Sequence, residues 1–142
     1  MTDSAAATTV PCIVDNSVLS RIAVGQIPPA ALEPYFHDEH VLATCTPHLL
    51  EALYSASSPK EWADDYRMRW SLLTVLHADR ETHAIAVELQ RRLWNSGSVR
   101  AAGPVDTMIA AIAVQHGAIV VHRDRDYERI AEVAPEFRQV RV

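Results

Sequence analysis

The sequence predicts one α/β domain with a mostly parallel β-sheet, and three observations lead to this fold class. Short apolar segments rich in β-branched residues alternate with longer segments that have helical periodicity. No internal repeat or linker interrupts this alternation. The chain has 142 residues and is 49% apolar, and a chain of that size can bury roughly 70% of its unfolded surface. Strands that alternate with helices are typical of a parallel sheet covered by those helices.

The first predicted elements are two strands and two helices that follow a tail. Residues 1–9 are rich in Ala, Thr and Ser without periodicity, which predicts a flexible tail. Residues 10–14 form a short apolar, β-branched run and are predicted to be a strand. Helices are predicted over residues 17–25 and 29–36, and a second strand is predicted over residues 40–43.

Two helix starts in the middle of the chain carry capping residues. Thr46 and Pro47 are predicted to be the cap and the first residue of a helix that runs to about residue 56. Proline is tolerated at the first helical position because its missing N–H would have no partner there. Ser58 is predicted to cap the next helix, with Glu61 reaching back to the Ser58 amide in a capping box.

The C-terminal half continues the alternation of strands and helices. A short third strand is predicted over residues 75–78, and Asp79 is predicted to cap a helix that runs to about residue 96. Gly117 can close a further helix, because glycine readily adopts the left-handed conformation found there. The remaining predicted elements are an apolar helix over residues 105–116, a buried strand over 118–122, a short helix over 127–133 and a last strand over 138–142.

Composition and charge limit the classes of function. Eighteen acids against thirteen bases give a net charge of −5, which argues against a simple basic nucleic-acid-binding module. The longest apolar run, residues 108–114, is far shorter than the ~20 residues that span a bilayer, and the N-terminal residues do not form a secretory signal. Cys12 and Cys45 have no metal-binding or redox spacing. We therefore expect a cytoplasmic protein that does not bind membranes.

Five carboxylates stand at the ends of predicted elements. Because ligands of open parallel sheets bind beyond the carboxyl ends of the strands, we expect these side chains to converge on one crevice. They are Asp15 after the first strand, Glu51 one turn into the helix from Pro47, Asp106 at the start of the apolar helix, and Asp124 and Asp126 after the strand over residues 118–122. Each also has an ordinary explanation as a helix cap, a turn residue or a solvated helix residue.

Five converging carboxylates would repel one another unless a proton or a cation neutralised them. Carboxylate oxygens favour Mg²⁺ or Mn²⁺, and no Cys/His set in the sequence would suit Zn²⁺. Such a bound Mg²⁺ ion typically contacts phosphate oxygens and activates water. These five acids equal the net negative charge in number, so a metal site could account for the whole excess.

Further polar residues have two interpretations each. Ser17 is predicted either to orient Asp15 through its hydroxyl group or to cap the helix that follows. His122, at the end of a buried strand, is expected to satisfy a backbone group rather than to act as a general base. Arg100, Arg123 and Arg125 are candidate contacts to phosphate groups, with a solvated surface position as the alternative.

Three segments resemble the PIN-domain ribonucleases, and more narrowly the VapC-type toxins of bacterial toxin–antitoxin pairs. These segments are IVDNSVL at residues 13–19, GPVDTMIAA at residues 103–111 and HRDRDY at residues 122–127. The second and third segments, at this separation, are specific, whereas the first alone would be weak. The resemblance covers the chain from about Ile13 to its end, and Glu51 stands at the position expected in the family's third helix.

The resemblance implies a three-layer PIN-like fold over residues 10–142, with a central, mainly parallel sheet flanked by helices. It also implies a Mg²⁺ or Mn²⁺ site, with Asp15, Glu51, Asp106 and Asp124 as catalytic and metal-binding residues and Asp126 as a further ligand. The implied activity is a hydrolase reaction: metal-activated water cleaves RNA internally, with tRNA or rRNA as the expected substrate. The implied partners are a second copy of the chain and a cognate antitoxin that occupies the active-site groove.

Two departures from the family pattern are visible, Asn16 where Thr is commoner and Tyr127 where Phe is commoner. Neither removes a ligand. The alternative function is a non-catalytic PIN-like binding or regulatory protein that acts with its antitoxin. A phospho-receiver domain is disfavoured because it needs a lysine near its last strand and the sole lysine is Lys60. The four glycines cannot build a Gly-rich phosphate loop, which excludes P-loop and dinucleotide-binding enzymes.

Overall fold

A computed structural model describes residues 9–142 of the chain. Its centre is a five-stranded sheet in the order β3-β2-β1-β4-β5, and every pair of neighbouring strands is parallel. The strands are β1 (Val10–Val14), β2 (His40–Thr44), β3 (Thr74–Val75), β4 (Ile119–His122) and β5 (Arg138–Arg141). The chain builds outward from β1 on one side and then returns to place β4 on the other. The strand order therefore reverses between β1 and β4, where parallel sheets bind ligands.

Helices cover both faces of the sheet, which confirms the predicted α/β class. The helices are α1 (Asn16–Ala23), α2 (Thr46–Tyr54), α3 (Pro59–Met68), α4 (Arg80–Asn95), α5 (Pro104–His116) and α6 (Arg125–Val133), with 3-10 segments at Pro29–Tyr35 and Trp70–Leu72. Ile13 and Val120 pack with α4, α5 and α6 on one face. Val14 and Val121 pack with α1 and the first 3-10 segment on the other face. Because β1 and β4 are buried on both faces, their residues are apolar except for His122 at the end of β4.

The two predicted capping devices are only partly correct. Thr46 is not the cap of α2: Cys45 has the extended backbone of a cap residue, and Thr46 is the first helical residue. Ser58 does cap α3, since its hydroxyl oxygen accepts from the Glu61 amide at 3.1 Å. The Glu61 carboxylate, however, accepts from the Ser57 amide at 2.9 Å and not from that of Ser58. Ser57 offers that carboxylate a second donor, its hydroxyl group, which explains the choice.

Several predicted boundaries also shift. The third strand is Thr74–Val75, shorter and one residue earlier than residues 75–78. The segment predicted as a helix over residues 29–36 is a 3-10 helix that contains Pro34, whose missing N–H cannot join an α-helical ladder. Helix α6 begins two residues before position 127, because Asp124 caps it. Gly117 ends α5 with a left-handed φ of 64°, as predicted.

Two further predictions concern the limits of the domain and the membrane. Apart from Thr9, the predicted tail over residues 1–9 lies outside the described residues. Among the helices of residues 9–142, none combines the length and the apolar character needed to cross a lipid bilayer.

Candidate metal centre

The ends of β1 and β4 bring two of the predicted carboxylates to the same edge of the sheet. Asp15 directly follows β1, and its amide donates to the Val121 carbonyl of β4 at 2.8 Å. Asp15 also caps α1, and Asp124 caps α6 after β4. Both side chains therefore stand where a strand gives way to a helix, at the point where the strand order reverses.

Three carboxylates form an acidic cluster at this edge: Asp106, Asp124 and Asp126. One oxygen of each lies within 4.8 Å of the others, and all three residues are partly buried. Asp106 comes from the first turn of α5, whereas Asp124 and Asp126 come from the start of α6. Oxygens that share one Mg²⁺ ion at about 2.1 Å lie at most about 4.2 Å apart, so small movements of these three side chains would let them bind one small divalent cation.

The pKa of Asp106 shows that negative charge is unfavourable in the acidic cluster. Burial raises the pKa of Asp106 to about 8, assisted by its hydrogen bond to Asp126 and by the charges of Asp124 and Asp15. In the absence of a cation, Asp106 therefore keeps a proton near neutral pH. A divalent cation would neutralise the same group of acids and displace that proton.

Asp15 lies beside the acidic cluster but is held differently. It is only 5% exposed. One carboxylate oxygen accepts from the Ser17 amide and the other from the Tyr127 hydroxyl, both at 3.0 Å. Within the described residues, Asp15 is not among the oxygens that meet within 4.8 Å, although its charge raises the pKa of Asp106. Its role as a metal ligand therefore stays a prediction.

Glu51 faces the same edge from the exposed side of α2. Partial desolvation raises the pKa of Glu51, and the charges of Asp15 and Asp124 raise it further. Within the described residues, it too lies outside the group that meets within 4.8 Å. The charges of Asp15 and Asp124 thus act on both Glu51 and Asp106, but only Asp106, Asp124 and Asp126 bring oxygens within 4.8 Å of one another.

Ser17 orients Asp15 by a route that neither of its two predicted roles describes. Its backbone amide, not its hydroxyl group, bonds the Asp15 carboxylate, because amides at the second helical position point toward the cap residue. Asp15, not Ser17, caps α1. The Ser17 hydroxyl oxygen accepts from the Arg123 amide at 3.0 Å. Ser17 therefore ties the start of α1 to the segment that carries Asp124.

Two buried histidines support the site. His122 accepts from the Asp124 amide at 3.0 Å and contacts Gln139, which confirms that it satisfies a backbone group. His48 was missed by the sequence analysis. Its Nε2 donates to the Val14 carbonyl at 2.8 Å, and its Nδ1 lies 2.8 Å from the Thr44 hydroxyl. Burial lowers the pKa of His48, which favours the neutral ring. The only local indication that His48 points inward is that Ala52, one helical turn later in α2, is also buried.

The three candidate RNA-binding arginines differ in exposure and in whether their guanidinium groups already have a partner. Arg100 and Arg125 are exposed, and within residues 9–142 neither guanidinium group forms a hydrogen bond or an ion pair. Arg123 is half-buried, and its Nε donates to the Val142 backbone oxygen. Arg100 and Arg125 are therefore the two with side chains available for a ligand.

Comparisons with known proteins agree with this geometry. The PIN-domain family matches residues 12–133. Ribonuclease VapC17 of Mycobacterium tuberculosis is 35% identical over 127 residues, which cover 89% of this chain and 91% of VapC17. Ribonuclease VapC51 of the same organism is 31% identical over 121 residues, which cover 85% of each chain.

Solved structures agree in fold. VapBC2 of Rickettsia felis, bound to a DNA fragment from its promoter, matches with a TM-score of 0.74 and 16% identity, over 94% of this chain and 99% of that chain. DNA-bound VapBC of Salmonella typhimurium matches with a TM-score of 0.73 and 20% identity, over 94% and 98%. The match to the PIN-domain family and the identity with VapC17 together decide the assignment. This chain belongs to the PIN-domain family and, within it, to the VapC ribonucleases.

Proposed function

We propose that this protein is the toxin of a toxin–antitoxin pair and that it cleaves RNA internally with a divalent metal ion, Mg²⁺ or in its place Mn²⁺. The observation that carries the proposal is the acidic cluster, whose three carboxylates meet within 4.8 Å where the strand order reverses. The proton held by Asp106, with its pKa raised to about 8, marks the position where positive charge is needed. Relatives that are named ribonucleases support the type of reaction.

In this proposal the acidic cluster holds the ion, with Asp15 and Glu51 beside it. When bound, a divalent ion supplies a more acidic water and stabilises negative charge on a phosphate. Glu51 is exposed and has a raised pKa, so it is suited to take a proton at the edge of the site. Arg100 and Arg125, both exposed, would bind phosphate oxygens of the RNA.

The substrate class rests on the same surface. The chain has a net charge of −5, so RNA must be attracted locally and not by the protein as a whole. Exposed arginines can make bidentate contacts with the phosphates of any RNA, and proteins that choose among RNAs do so largely by folded shape and unpaired bases. We propose tRNA or rRNA on this ground, with mRNA as the alternative that sequencing of the products would reveal.

The proposed partners are a cognate antitoxin and a second copy of the chain. The solved structures described above that match in fold are VapBC complexes. In this chain, an apolar cavity of about 310 Å³ opens beside α1 and includes Leu19, Ile22 and Phe36, the last 56% exposed. Such a cavity suits an apolar antitoxin segment. Leu50 and Tyr54, exposed on α2, offer a further apolar surface for a second copy.

Cleavage of total cellular RNA by the purified, antitoxin-free protein tests the proposal. We expect discrete fragments with 5′-phosphate ends in Mg²⁺ or Mn²⁺, and none with EDTA or in the Asp106→Asn variant. The matched control is Asp64→Asn in α3, where the carboxylate pairs with Lys60 on the surface. This control should cleave like the unaltered protein.

The negative outcomes separate the alternatives. A folded protein that binds Mn²⁺ but cleaves no RNA would favour the non-catalytic binding or regulatory role. A folded protein that binds neither Mn²⁺ nor Mg²⁺ would overturn the metal centre itself.

A further inference from the structure

Tyr127 is a large buried side chain that contacts the site. It is fully buried, and its ring packs against His122 and Phe137, with ring centroids 5.1 and 6.1 Å away. Its hydroxyl group donates to a carboxylate oxygen of Asp15 at 3.0 Å. The two residues are 112 positions apart, so this bond links the start of α6 to the end of β1.

A second carboxylate lies near the same hydroxyl group. Burial raises the pKa of Tyr127, and the negative charges of Asp15 and Asp106 raise it further. In its 3.0 Å contact with Asp15 the phenol is the donor, because an ionised carboxylate oxygen can only accept. Asp15 directly follows β1 and Asp106 lies in α5, so acids from two separate parts of the fold act on one hydroxyl group.

A role in core packing alone does not explain this hydroxyl group. Phenylalanine, which is commoner here in the family that the sequence resembles, would fill the same space. Burying a hydroxyl group costs free energy unless it finds a partner, and its partner here is a carboxylate, which makes a stronger hydrogen bond than a neutral acceptor. An ionised carboxylate has about four acceptor positions, so the bonds from Tyr127 and Ser17 leave room for a cation on Asp15.

We propose that Tyr127 is a positioning residue of the metal centre, and that its hydroxyl group fixes the Asp15 carboxylate beside Asp106 for a shared divalent cation. The inference rests on the proposed function, because it assumes that a cation binds here. Groups that hydrogen-bond a metal-binding carboxylate orient it, and their removal typically weakens metal affinity by roughly 10–100-fold.

Tyr127→Phe removes only the hydroxyl oxygen and tests this role. The matched control is Tyr66→Phe on α3, where the ring stacks on Trp62 at 5.6 Å. Calorimetry with Mn²⁺ should show roughly tenfold weaker binding in Tyr127→Phe and unchanged binding in Tyr66→Phe. Unchanged or tighter binding in Tyr127→Phe would overturn the inference while leaving the metal centre in place.

A second readout separates positioning from general stability. A ligand that binds only the folded state raises Tm according to its affinity. If Tyr127 positions Asp15, the rise in Tm caused by Mn²⁺ should shrink in Tyr127→Phe. A merely structural hydroxyl group would lower Tm equally with and without Mn²⁺, which would contradict the inference.

A double-mutant cycle tests whether Tyr127 acts through Asp15. In an Asp15→Asn background, Tyr127→Phe should cause no further loss of Mn²⁺ affinity. Additive losses would overturn the proposed route. Failure of the unaltered protein to bind Mn²⁺ would instead overturn the proposed metal centre, and the inference with it.

Discussion

Two parts of the site stabilise negative charge in different ways: the acidic cluster, and the residues around Asp15 and Val14 at the end of β1, which we call the β1 side. On the β1 side, Asp15 is nearly inaccessible, yet each of its oxygens accepts a hydrogen bond, from Ser17 and from Tyr127. In the acidic cluster, Asp106 meets other carboxylates, and its pKa is raised to about 8. Buried charge is thus stable where protein donors satisfy it, whereas facing carboxylates require a proton or a cation. The β1 side is organised without metal, and the acidic cluster is where positive charge is needed.

The largest loss of stability is expected when the hydrogen bonds of His48 to the β1 side are removed. His48→Ala would leave the Val14 carbonyl and the Thr44 hydroxyl buried without their partner. The expected loss in free energy of unfolding is about 2–4 kcal/mol, measured by urea denaturation. His83→Ala, on the exposed surface of α4, is the control and should stay within about 0.5 kcal/mol. Equal stability of the two variants would show that the β1 side is not organised by these bonds.

Asp15→Asn and Asp106→Asn are expected to change the free energy of unfolding in opposite directions. Asp15→Asn replaces a charged acceptor of two hydrogen bonds, and we expect a loss of about 1.5–3 kcal/mol in the free energy of unfolding. Asp106→Asn removes a facing carboxylate, so the stability gained by the metal-free protein should grow as pH rises from about 4 to 8 and be complete above about pH 8. Thermal unfolding in EDTA at high pH measures both. A loss of stability in both variants would contradict the distinction between the two sides.

The fold was accessible from the sequence because its determinants are local. Apolar β-branched runs and capping residues such as Asp79 mark elements within a few positions, and the helix after Asp79 begins at Arg80 as expected. The strand-end rule also placed Asp15 and Asp124 at one edge of the sheet. The hydrogen bonds that join distant residues of the site were not accessible from local sequence patterns. His48 bonds a carbonyl 34 positions away.

For the same reason, the sequence grouped five carboxylates where the structure brings only three within 4.8 Å. Spacing along the chain shows that Asp15 ends a strand, but it does not show that Ser17 and Tyr127 already bond its oxygens. Thr46 shows the same limit at short range. It has a good cap side chain, but the extended backbone belongs to Cys45.

The pH dependence of metal binding reports the acidic cluster directly. The folded-state pKa of Asp106 lies above its ordinary value, so folded protein holds this proton more tightly than unfolded protein, and stability without metal falls as pH rises from about 4 to 8. Metal must displace the same proton. Mn²⁺ affinity should therefore rise with pH up to about 8, by at most tenfold per unit. Calorimetry in buffers of different ionisation enthalpy would detect the released proton, and a flat affinity profile would contradict a protonated Asp106.

The smallest effect is expected at the rim, where the arginines contact solvent. Arg125→Ala should raise KM for RNA a few-fold and leave kcat nearly unchanged, because an exposed phosphate contact stabilises substrate and transition state alike. It should also make binding less sensitive to salt, since one fewer phosphate is neutralised. Arg91→Ala is the control, because that side chain pairs with Glu88 on α4. A fall in kcat without a change in KM would contradict this role. It would show that the charge of Arg125 acts on the phosphate that is cleaved and not on a neighbouring phosphate of the RNA.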